Sequence, residues 1–105
     1  MNWALIAMAL AIPPGAASIV DGAIADAQQR FGVKAEVLDV QAVDWPDMSM
    51  GCPQKGMRYP QRLVPGWRIV LSADGRTFEY HAAEKGAAFH CPPGRAQKPL
   101  PSSTI

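Results

Sequence analysis

Little in this chain answers to the usual signatures of catalysis or metal binding. Its 105 residues hold two cysteines and two histidines. They form no C-x-x-C, no H-x-x-x-H, no G-x-S-x-G, no H-E-x-x-H and no glycine-rich phosphate loop. A thiol enzyme needs a base within reach of the sulfur, but His90 and Cys91 are neighbours on a strand and point to opposite faces. Charge of one sign is also lacking. A formal charge of +1 gives no electrostatic footprint for nucleic acid. The longest apolar run, Trp3 to Ile12, is too short to cross a bilayer comfortably. No repeat or heptad is present, and the length allows one domain with one modest core.

The opening segment, MNWALIAMALAIPPGAAS, has an apolar run, a Pro-Pro-Gly breaker and small residues. That is the order of a secretory leader, although no Lys or Arg precedes the run. Residues 1–18 are therefore expected to be a signal segment, 19–91 a single domain in the periplasm or outside the cell, and 92–105 a disordered proline-rich tail. In an exported domain of this size two cysteines read as a disulfide, here Cys52 to Cys91.

Within the domain, Val20, Ile24, Ala27 and Phe31 form one apolar stripe on a helix over Ala17 to Phe31, with Asp26 on its solvent side and Gly32 ending it. The segment Lys34 to Trp45 alternates, placing Leu38, Val40 and Ala42 on one face of a half-buried strand. The strongest local signal is GWRIVLSADGRTFEYHA, a hairpin turning at Asp74-Gly75. In that register Leu71 faces Phe78, Ile69 faces Tyr80 and Trp67 faces Ala82. The opposite face, with Arg68, Ser72, Thr77, Glu79 and His81, reads as solvent-facing. A short strand, AAFHC, follows. The expected fold is α+β, one N-terminal helix on an antiparallel sheet of about four strands ending in a meander, with a long disulfide-tethered loop.

That loop, DWPDMSMGCPQKGMRYP, admits four readings. Met48, Met50, Met57 and a histidine, His81 or His90, could bind copper, since soft sulfur ligands suit Cu(I), but an oxidised Cys52 offers no thiolate. The thiol reading needs a base, which His90 cannot be and His81 could be only if the fold brings it to a cysteine, and the spacing Asp47, Ser49, Gly51 echoes a calcium loop without its downstream bidentate Glu. A rigid basic binding loop would present Lys55, Arg58, Tyr59 and Arg62 to a protein or anionic partner. A purely structural loop would be pinned over the sheet by Cys52 and Cys91. The last two readings are compatible. No catalysis and no cofactor are expected, and the domain reads as a monomer.

The run Trp45-Pro46-Asp47, Ser49, Gly51-Cys52-Pro53-Gln54, Gly56-Met57, followed by Pro65-Gly66, Arg68 to Leu71, Tyr80-His81 and Cys91, resembles an uncharacterised family of small bacterial exported proteins. Its members read WPDGSLGCPQPGM, PGYRIVL and YEYH with a late cysteine. The likeness covers Asp44 to Cys91. It implies an exported or lipid-anchored domain with both cysteines kept and carries no activity with it. Met48 and Met50 stand where the family has Gly and Leu, and Lys55 where it has Pro.

Overall fold

A computed structural model describes residues 11–101. One helix, α1 (Ala17–Phe31), precedes four strands: β1 (Glu36–Trp45), β2 (Val64–Ala73), β3 (Arg76–Ala83) and β4 (Phe89–His90). They form one antiparallel sheet in the order β1-β2-β3-β4, an α+β meander with the helix on one face. The hairpin turns as its sequence requires. Asp74 (φ 52°) and Gly75 (φ 74°) are both left-handed, and Trp67, Ile69 and Leu71 lie opposite Ala82, Tyr80 and Phe78. These side chains meet Val20, Ala23 and Ala27 of α1 in the main core. Gly32, at φ 68°, ends the helix and donates its N–H to the Gln28 carbonyl.

Helix and sheet are also joined by polar contacts. Tyr80 is fully buried and its hydroxyl donates to Asp26 Oδ2 at 2.7 Å, while Arg30 grips both oxygens of Asp26 at 3.0 and 3.2 Å. Asp26 therefore turns toward the sheet edge rather than to solvent as its position on the polar side of the helix suggested. The Arg30 hydrogen bonds hold the Asp26 carboxyl below its usual range. Burial, then the hydrogen bond to Asp26, pushes the Tyr80 phenol far upward.

Strand β1 departs from the simple alternation. A bulge between Val37 and Asp39 leaves Leu38 without a partner and 52% exposed. The extra residue resets the parity, so Val37 and Val40 line the core side and the strand runs on to Trp45. Alternation read from Leu38 onward could not register this insertion, because a bulge is a property of the pair of strands.

The face away from the helix is the larger correction. It is covered by the segment between β1 and β2 and by residues 92–101. His81, read as solvent-facing, is fully buried there, as is Trp45. Residues 92–101 are not a disordered tail: Gln97 donates to the Gly51 carbonyl at 2.8 Å and Leu100 to the Asp44 carbonyl at 3.0 Å. A chain poor in apolar side chains is held here by backbone hydrogen bonds, which composition does not report. Residues 102–105 and 1–10 lie outside the described residues. The rest of the leader reading meets the fold directly, since Ala16 is fully buried in the core and Ala17 opens α1.

Candidate functional site

The loop between β1 and β2 is built from a series of tight turns. Asp47 Oδ1 accepts from both the backbone N–H (2.8 Å) and the hydroxyl (2.6 Å) of Ser49, an Asx turn that occupies the carboxylate hinted at by the calcium-like spacing. Met50 (φ 52°) and Gly51 (φ 71°) are consecutive left-handed residues. Through them the chain reverses, bringing the Met50 carbonyl 2.7 Å from His81 Nδ1 and the Gly51 carbonyl to Gln97. Cys52 then bonds Cys91 across a Cα–Cα distance of 5.8 Å, and Cys91 donates its own N–H to the Glu79 carbonyl. Arg95 adds two hydrogen bonds, at 3.2 and 3.3 Å, to the Cys52 and Pro53 carbonyls.

Beneath the turn lies a polar cluster around the buried His81 that the sequence reading missed. His81 Nε2 is 2.6 Å from Glu79 Oε2, and Arg68 clasps Glu79 in a bidentate pair at 3.0 and 3.1 Å. The Trp45 indole stacks on His81 with centroids 4.3 Å apart, and its N–H donates to the Ala82 carbonyl at 3.2 Å. Room for the indole comes from two glycines: a Cβ on Gly66 would strike the Ala82 carbonyl, and one on Gly51 would strike the ring. Both His81 nitrogens face acceptors, the Met50 carbonyl and the Glu79 carboxylate. Burial alone would raise the Glu79 carboxyl, but hydrogen bonds from His81 and Arg68 outweigh it and hold the group below its usual range. The only hint of this cluster in the sequence was that Trp45 falls out of phase with Leu38, Val40 and Ala42.

The four residues named for binding lie in one loop but are used differently. Lys55, Arg58 and Arg62 are exposed. Tyr59 is half-buried, and its hydroxyl accepts the Gln54 N–H at 3.0 Å, so it braces the loop from within. A further turn is closed by the Met57 N–H on the Gln54 carbonyl. The methionines gain no imidazole. Met48 and Met57 are exposed, His81 has both nitrogens engaged, and His90 lies on the other face, edge-on to Phe31 and Tyr80. Among the described residues no group of three or more His, Cys, Asp and Glu side chains could hold a metal ion, and no helix is long and apolar enough to cross a membrane.

His90 makes a pH dependence testable. Burial, followed by the charge of Arg30, pushes its imidazole below the ordinary value of 6.5, so the unfolded chain takes up a proton there more readily than the fold does. Stability contributed at this position is present above pH 6.5 and is lost as pH falls below it. Asp26 and Glu79, held low, add stability that is lost at more acidic pH, as each is protonated in the fold. Thermal melts of wild type and His90→Phe from pH 7.5 to 5 should diverge, with the wild type losing more. Parallel curves would remove His90 from this account.

No curated protein and no solved structure matches the chain. A family model described as a domain of unknown function (DUF8738) matches residues 20–91, from the first turn of α1 to the second cysteine. The matched stretch contains the helix, all four strands, the braced loop and the disulfide, and the chain belongs to that family.

Proposed function

We propose that this is a small exported, non-catalytic domain that binds an anionic partner at or outside the cell envelope through the basic loop 52–62. The observation that carries the reading is the pairing of exposed cations with a fixed backbone. Lys55, Arg58 and Arg62 project from a stretch without a single carboxylate. The same stretch is held by a disulfide, by Arg95 and by the Tyr59 brace. A loop already ordered loses little conformational entropy on docking, so its cations add to affinity and to the rate of encounter. Export fits the disulfide, which forms and persists in oxidising compartments.

Replacing Lys55, Arg58 and Arg62 together by serine tests the reading. The side chains are exposed, so stability should change by less than about 0.5 kcal/mol each. A partner captured from the envelope fraction at low salt should be lost, and wild-type capture should weaken as salt is raised. If every captured protein survives the triple substitution, the loop is structural only.

A further inference from the structure

The edge strand that leads into the basic loop carries the opposite charge. Strand β1 holds Glu36, Asp39 and Asp44 and no Lys or Arg, and it is an edge of the sheet. Helix α1 packs mainly over β3 and β4, and among the described residues nothing covers Ala42 on the β1 side of that sheet face, which is exposed. There a cleft of about 510 Å³ lies beside the edge; its walls include Ala42, Asp44, Pro65, Trp67 and Glu84, and no cation lines it. The chain itself shows how this edge accepts a partner. The Leu100 N–H bonds the Asp44 carbonyl at 3.0 Å, one rung of an added strand. Among the described residues no other backbone group pairs with the outer side of β1.

We propose that the outer edge of β1 and its cleft bind an extended cationic peptide segment, which extends the pairing made at the Asp44 carbonyl. The backbone supplies the hydrogen bonds of a fifth strand. The aliphatic stem of a lysine or arginine lies against Ala42, Pro65 and Trp67, and its charge reaches Asp44 and Glu84. The two acids set the sign of the partner, since a carboxylate-bearing strand would face like charges across the new pair. This surface is separate from the basic loop and selects the opposite charge, so the two readings stand or fall independently.

The test is a titration of the 15N-labelled full chain with the capped peptide Lys-Val-Lys-Val-Lys and with Glu-Val-Glu-Val-Glu. The lysine peptide is expected to shift the amides of Gln41 to Asp44 and the Trp67 indole signal. Its affinity should fall at least about tenfold in the Asp44→Asn/Glu84→Gln variant, in line with two lost charge contacts. The variant's unperturbed spectrum elsewhere will show that it is folded, since both residues are exposed. Equal binding of the two peptides, shifts confined to residues 52–62, unchanged affinity in the variant, or no binding of the lysine peptide would each overturn the proposal.

Discussion

Trp45→Ala is expected to destabilise the domain by about 3–5 kcal/mol, the range for emptying a large, fully buried aromatic site. Trp45 is completely buried on the face of the sheet away from the helix. It performs three tasks there. It buries a large apolar surface in that layer, its ring stacks on the polar His81, and its N–H donates to the Ala82 carbonyl. Alanine would leave a cavity beside His81 and remove one hydrogen bond to the Ala82 carbonyl, and the two glycines opposite have no side chains with which to fill it. For a domain whose total stability lies in the range of about 5–15 kcal/mol, the loss approaches the whole. Trp45→Phe is the useful second variant, since it restores most of the area but not the hydrogen bond and should cost less. Urea unfolding followed by circular dichroism measures both. A loss under about 1 kcal/mol for alanine would mean that the loop and residues 92–101 are draped on the sheet without packing against it.

The second large effect is expected from removing the Cys52–Cys91 disulfide. The cysteines are 39 residues apart. Opening a loop of that size releases about 4 kcal/mol of chain entropy to the unfolded state. The folded state should change far less. The same loop stays tied by His81 to the Met50 carbonyl, by Gln97 to the Gly51 carbonyl and by Arg95 to the Cys52 and Pro53 carbonyls. The Cys52→Ala/Cys91→Ala variant should therefore keep the native amide spectrum of residues 46–62 while its urea midpoint drops sharply. Collapse of that spectrum at zero urea would show instead that the disulfide holds the loop in place. Because both sulfurs are buried, alkylation of the wild type should require prior reduction. Two thiols that alkylate without reduction in protein taken from its native compartment would remove both the disulfide and the case for export.

The legible parts of the fold were those governed by neighbours in the chain. The Asp74-Gly75 turn demands two left-handed residues, and once it is placed the facing pairs of β2 and β3 follow by counting. The stripe Val20, Ala27 and Phe31, with Gly32 behind it, determined the helix and its end. The opposed side chains of His90 and Cys91 followed from strand geometry alone, and the structure puts one against Phe31 and the other in the disulfide. The loop cations were legible as well, because lysine and arginine in a turn-rich stretch have little choice but solvent.

What stayed hidden depends on which distant segment arrives to cover a surface. His81, Glu79 and Arg68 alternate with apolar residues and so look like a wet face; His81 is buried and the other two are half-buried because the loop folds back and residues 92–101 lie over the face. The bulge at Leu38 arises between two strands and has no single-strand signature. The tail's order comes from backbone donors, to which a count of side chains is blind. The amino-acid sequence by itself determined the helix, the hairpin, the cysteine pair and the basic loop, since each rests on periodicity, turn stereochemistry or composition within a few residues. Only the tertiary structure decided that the sheet has two covered faces, that a buried histidine lies on the second, and that among the described residues an acidic edge strand has only one backbone partner on its outer side. Those outcomes are set by contacts between residues tens of positions apart, where burial depends on what packs above a side chain rather than on the side chain itself.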